Sequence, residues 1–277
     1  MPYSDLEGKI AIVTGAAGGI GKALVAAFIG KKLRVAALDI DSDGVRSLQD
    51  ENGSDNVLGL RCDVSDAADC SRQVQAALRH FGGLHILVNN AALGMNAVHA
   101  DYTNRALQIE DVSEQLWARF MAINVNGSFY MARAVVPIFR RQHWGRIVNV
   151  TTSYISMSRP GFSPYGPSKA AIESWILMLS RELEGSGITA NIVLPGGPVD
   201  TAMVPDADRS ALIRPEVMSD PMLGLFTEAG GKITGQRFIA VEWDATVGTD
   251  PADQPHRSAA WPELAKPWAT MPAREAK

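Results

Sequence analysis

Tyr165 and Lys169 stand four residues apart at the start of a run whose apolar residues, Ile172, Trp175, Ile176 and Leu179, recur at helical spacing. On a helix that spacing stacks a phenol and an ammonium on one face. A phenol with an ordinary pKa near ~10 is a poor base at neutral pH, and a neighbouring cation stabilises its phenolate. The pair suits proton transfer to or from a substrate oxygen. A second constellation lies near the start of the chain, Thr14-Gly15-Ala16-Ala17-Gly18-Gly19-Ile20-Gly21, between a β-branched run and an amphipathic one. Glycines let the main chain turn sharply and approach a pyrophosphate, whose charge meets the positive end of the following helix. Asp39 follows some twenty residues on, where a carboxylate accepts hydrogen bonds from the adenosine ribose and repels a 2′-phosphate. Two unit charges ~4 Å apart interact by ~4 kcal/mol at an effective dielectric of ~20, and half of that discriminates more than tenfold. The favoured cofactor is therefore NAD. Nearby cations do not compete: Ala17 is uncharged, Ile40 follows the acid, and Arg34 points to the opposite sheet face from Asp39.

Short β-branched runs alternate with longer amphipathic ones from Lys9 onward, which predicts β-α units around a parallel sheet. Strands are expected near Ile10 to Val13, Arg34 to Leu38, Val57 to Arg61, Ile86 to Val88, Arg146 to Val150, Ile188 to Val193 and Arg237 to Val241. Helices are expected near Gly19 to Gly30, Asp43 to Glu51, Asp66 to Phe81, Ser113 to Gln142, Tyr165 to Glu184 and Arg209 to Glu228. The fold class is a three-layer, doubly wound α/β sheet of about seven strands. Residues 1–244 form one dinucleotide-binding oxidoreductase domain. Residues 245–277, with five prolines and with Trp261 and Trp268, read as an irregular tail packed over its own or a neighbouring subunit. Asp63-Val64 closes the third strand and Asn89-Asn90-Ala91-Ala92 the fourth, both at the carboxyl edge where such sheets bind ligands.

With these motifs in order from about Leu6 to Val241, the sequence resembles the short-chain dehydrogenase/reductase family. The resemblance implies an alcohol or ketone substrate and hydride transfer with a nicotinamide cofactor. It implies that Asp63 contacts the adenine and that Asn90, Ala91 and Ala92, the last replacing a usual glycine, line the cofactor. Asn124 matches the asparagine that holds a water linking the lysine to solvent. The family's substrate-binding serine, thirteen residues before the tyrosine, falls on Thr152, with Ser153 as the alternative if the intervening loop is shorter. Pro195-Gly196-Gly197-Pro198-Val199-Asp200-Thr201 resembles the segment that grips the nicotinamide carboxamide, with Thr201 in the threonine's place. The segment from Ala202 to Arg214, with Met203 and Leu212, takes the place of the mobile substrate flap. Val135, Ile138 and Phe139, with the apolar stripe of the Tyr165 helix, resemble surfaces that the family buries between subunits and equally fit the core of the chain; the resemblance implies a dimer or tetramer.

The segment between Ala92 and Asn124, with Met95, His99, Tyr102 and Asn104, is longer than usual and is expected to wall the substrate pocket. His99 reads as a surface residue, and Tyr154, Met157 and Phe162 suggest an apolar pocket. The bulk composition narrows the classes further. A net charge of -4 with scattered Lys and Arg gives no footprint for nucleic acid. No apolar run reaches the ~20 residues that span a bilayer, and Met1 to Gly8 does not read as a signal peptide, so a cytoplasmic enzyme is expected. Cys62, Cys70 and five unclustered histidines offer neither a disulfide framework nor a metal site.

Overall fold

The computed structural model describes residues 3–99, 101–102, 107–205 and 208–262. Seven parallel strands and a short antiparallel eighth form one sheet in the order β3-β2-β1-β4-β5-β6-β7-β8. They are β1 (Ile10–Thr14), β2 (Arg34–Asp39), β3 (Val57–Arg61), β4 (Ile86–Asn89), β5 (Gly145–Val150), β6 (Ile188–Leu194), β7 (Gln236–Ile239) and β8 (Ser258–Ala259). Every residue of β1, β5 and β6 is buried, as expected of parallel strands covered on both faces.

The helices are α1 (Gly19–Gly30), α2 (Ser42–Asn52), α3 (Ala67–Phe81), α4 (Glu114–Phe120), α5 (Gly127–Gln142), α6 (Tyr154–Ser158), α7 (Tyr165–Glu182) and α8 (Ser219–Phe226). A π-helical segment, Met121–Asn126, joins α4 to α5, so the expected single helix from Ser113 carries a bulge. Two apolar clusters fill the layers. One joins α1 and α8 to a sheet face through Leu24, Phe28 and Phe226; the other joins α3, α5 and α7 to the opposite face through Val74, Phe139 and Ile176. Val135, Ile138 and Phe139 belong to this second core, so they are buried within the chain and are not a subunit surface. On α5 and α7 the exposed large apolar residues are Phe129 and Met178.

Two further expectations change. The stretch from Arg209 to Glu228 is not one helix: 3-10 turns at Arg209–Ala211 and Pro215–Met218 precede α8. Pro215 and Pro221 lack the N–H groups a continuous helix requires, so each is placed near the start of its own element. The tail is not irregular throughout, because β8 pairs with β7 through Gln236↔Ala259 and Arg237↔Ser258. Gln254 ties the tail to Asp244 through bonds of 2.8 and 3.1 Å, and Trp261 packs on the second core. Trp268 and Asn104 lie outside the described residues.

Candidate active site

A cleft of about 1000 Å³ opens at the carboxyl edge of the sheet, where β1 and β4 lead in opposite directions. That volume sits at the upper end of the ~300–1,000 Å³ of small-molecule sites, and the position is the one where doubly wound sheets bind nucleotides. One end is built from main chain. Gly15 has φ +65°, and a Cβ there would lie 2.8 Å from Ala91 Cα. Asn90 Nδ2 donates to the carbonyls of Thr14 and Gly15 at 3.0 Å each, and Thr14 Oγ1 accepts the N–H groups of Asn90 and Ala91 at 3.0 and 3.1 Å. The strand ends thus lock the glycine turn from below. The N-terminus of α1 begins at Gly18 without a side-chain cap, whereas Asp41 and Asp66 cap α2 and α3. Its donors remain directed at the cleft, a fit for a pyrophosphate.

Asp39 closes this end. Its Oδ2 accepts Ala17 N–H at 2.9 Å and its Oδ1 accepts Asp41 N–H at 3.0 Å. Because Asp41 is the helix cap, Asp39 is left facing the cleft beside Ile40, which is 55% exposed. No ion pair reaches Asp39 among the described residues, and Arg34 lies over the ring of Phe81 instead. Asp63 and Val64 line the same wall, with Asp63 Oδ1 accepting from Ser65 Oγ at 2.6 Å.

The other end is built from side chains. Tyr165 opens α7 and is half-buried; burial pushes its phenol up to about 12, opposed by the neighbouring Thr152 hydroxyl. Lys169, one turn on and only 4% exposed, donates to Val150 O at 3.0 Å, with its Nζ 5.8 Å from the centroid of the Tyr165 ring. Burial draws its ammonium down to about 8, opposed by the negative charge of Glu173. Ser153 is committed elsewhere, since its hydroxyl caps α6 by accepting Ser156 N–H at 3.1 Å. Asn124, fully buried in the π-helical segment, brackets Leu93 with bonds of 2.8 and 3.1 Å and donates to Ser168 Oγ at 2.9 Å. It joins the loop after β4 to α7 from behind the cleft.

The sequence matches the family described as short chain dehydrogenase over residues 9–211. The chain belongs to that family. It is an oxidoreductase of alcohol or carbonyl groups that works with a nicotinamide cofactor. It is 33% identical over 192 residues to D-threitol dehydrogenase from Mycolicibacterium smegmatis, spanning 69% of this chain and 70% of that one. It is 34% identical over 191 residues to 2-(R)-hydroxypropyl-CoM dehydrogenase from Xanthobacter autotrophicus, spanning 68% and 74%. Its fold superposes with TM-score 0.75 and 27% identity on 3-ketoacyl-(acyl-carrier-protein) reductase from Brucella melitensis complexed with NADH, covering 84% of this chain and 96% of that one.

Within this family member, Pro195, Gly196, Val199 and Thr201 line the cleft between the two ends. A Cβ on Gly19 would lie 2.5 Å from Thr201 Cγ2, so the glycine turn and this segment touch. Of the expected site residues, Ala17, Gly21 and Asn124 do not line the cleft but support it, while Gly15, Gly18, Gly19, Ile20 and Ala92 do. The loop walls meet above Tyr165: Tyr102 Oη donates to Met203 O at 3.3 Å, and the Phe162 ring lies edge-on between those of Tyr102 and Tyr165. Tyr154 and Met157 are not part of the pocket; Tyr154 is turned away beneath the guanidinium of Arg237. His99 is half-buried rather than a surface residue, and its Nε2 is enclosed without a partner. Sequence reasoning missed Thr14, Glu173 and Arg237 as contributors. Thr14 had a signal in its place at the head of the glycine run, but the other two become neighbours only in the fold.

Proposed function

We propose that the chain interconverts a secondary alcohol and its ketone with NAD(H), with Tyr165 moving the proton. The observation that carries this reading is the Tyr165 phenol, sharing one cleft with the Thr152 hydroxyl and an uncapped helix N-terminus and followed one turn later by a buried ammonium. The glycine turn would hold the pyrophosphate, Asp39 the adenosine ribose, Asp63, Val64 and Ile40 the adenine surroundings, and Asn90, Ala91, Ala92, Pro195, Gly196, Val199 and Thr201 the nicotinamide half. When bound, the nicotinamide supplies or takes up the hydride. Tyr165 gives its proton to the carbonyl oxygen in reduction, and its phenolate takes the hydroxyl proton in oxidation. Lys169 stabilises that phenolate by its charge, and Thr152 rather than Ser153 donates to the oxygen on which charge develops. Asn124 keeps the loop after β4 and α7 in register for the proton relay.

The paired charges on Asp39 and a 2′-phosphate favour NAD over NADP. Phe129 and Met178, exposed on α5 and α7, supply the apolar face for a homo-oligomer. A positioned acid or base contributes ~10²- to 10⁴-fold, so Tyr165→Phe should lower kcat by that factor while the Kd for NADH stays within about twofold. Equal losses of binding and rate would remove Tyr165 from this role. A panel of secondary alcohols with NAD⁺, and of the matching ketones with NADH, supplies the substrate for the measurement.

A further inference from the structure

The mechanism above leaves the buried carboxylate of Glu173 unused. Glu173 follows Lys169 by four residues on α7 and is 0% exposed. Its Oε1 accepts Thr151 Oγ1 at 2.7 Å and Arg237 Nε at 3.3 Å, and its Oε2 is buried with no hydrogen-bond partner. Arg237 reaches from β7 and donates through Nη2 to Thr152 O at 3.1 Å. Three consecutive residues at the end of β5 are thereby held by one chain of charges: Val150 O by Lys169, the Thr151 hydroxyl by Glu173 and Thr152 O by Arg237. The middle member is the hub.

A carboxylate stripped of water is costly, and this one is only partly compensated. Apolar packing would serve stability as well in that position, so the charge needs another use. On α7 an i, i+4 neighbour is the closest kind, and low polarity lengthens the reach of its field. We infer that Glu173 is a positioning residue for the reaction: it keeps the Lys169 ammonium charged and, through Thr151 and Arg237, aims the Thr152 hydroxyl at Tyr165. This assignment rests on the function proposed for Tyr165 and Lys169. The charged and titratable groups that face the hub are Lys169 on α7, Arg237 on β7 and Tyr154 on α6; Tyr102 and Arg159 face the Tyr165 end. Arg237 is neutralised locally by Glu173, and its face is covered by the Tyr154 ring at 4.1 Å.

The test is the pH profile of kcat for alcohol oxidation, with NAD⁺ and the fastest secondary alcohol of the panel. Without Glu173 the Lys169 ammonium loses its proton at lower pH and no longer stabilises the Tyr165 phenolate, so Glu173→Gln should move the alkaline-rising limb to higher pH by about one unit, a tenfold change in the proton equilibrium. It should also lower plateau kcat more than it changes KM. Should Glu173→Gln fail to fold, Glu173→Gln/Arg237→Gln, which leaves neither charge buried alone, carries the same expectation because Glu173 is the member that acts on Lys169. A limb that stays in place, or moves down, with kcat reduced equally at every pH would make Glu173 a structural residue and overturn the inference. Wild-type and Tyr165→Phe controls separate the two claims: if Tyr165→Phe keeps full turnover the proposed function fails, whereas an unshifted Glu173→Gln profile beside an inactive Tyr165→Phe removes only the role of Glu173.

Discussion

Between Gly15 and Asn90 the wall of the cleft is main chain held by turns and strand ends, whereas between Thr152 and Lys169 it is side chains on a helix and a strand end. The two ends meet different demands. A pyrophosphate is bound by N–H groups and needs the backbone to come close, so any added atom is an obstruction. Proton transfer needs a hydroxyl and a cation at set positions, so a missing atom is the damage. Additions should therefore break the first end and deletions the second.

The largest effect is expected from a deletion at the side-chain end. Thr152→Val removes the hydroxyl that shares the cleft with Tyr165 and keeps the shape, and it should lower kcat by ~10²- to 10³-fold, the usual cost of one donor to a developing oxyanion. Ser153→Ala removes the α6 cap and should lower stability by ~1 kcal/mol with kcat within about threefold of wild type. Steady-state kinetics beside thermal melts read both, and a reversed pattern would hand the role to Ser153.

An addition at the main-chain end comes next. A Cβ on Gly21 would overlap Gly15 O and lie 2.7 Å from Ala16 Cα. Gly21→Ala must push the turn outward, at the ~1–3 kcal/mol typical of overpacking, so NADH should bind ten- to a hundredfold more weakly by fluorescence titration. Unchanged affinity would mean that this turn is not the cradle.

The same contrast explains what the sequence disclosed. Strands such as Ile10–Thr14 and Ile188–Leu194 announce themselves by β-branched runs, and the glycine turn by residues that only a close backbone approach requires. The choice between Thr152 and Ser153 was open because spacing carries no orientation. What favours Thr152 is a local bond, Ser153 turning to cap α6, a short helix with no apolar period long enough to be seen. Glu173 and Arg237 stand 64 residues apart, and no local pattern pairs them. The two-residue β8 has no strand signature at all; its place comes from the free edge of β7 and from the tail packing around Gln254 and Trp261.

Asp39 departs from this division, a side chain in the main-chain end whose two oxygens both hold backbone N–H groups. Its substitution therefore has a structural part and a charge part, and the ratio of the two cofactors separates them. A loosened turn weakens NAD and NADP alike. Loss of the charge helps only the ligand with the 2′-phosphate, by ~2 kcal/mol if half the limiting interaction is realised. Asp39→Ala should accordingly lower kcat/KM for NAD and reduce the NAD-to-NADP ratio of kcat/KM by about tenfold or more. Asp39→Asn, which keeps one oxygen acceptor, should shift the ratio similarly with a smaller loss of NAD affinity. A fall in both cofactors at constant ratio would reduce Asp39 to a brace for Ala17, and a wild-type enzyme that prefers NADP would show that a cation elsewhere in the cleft outweighs this carboxylate.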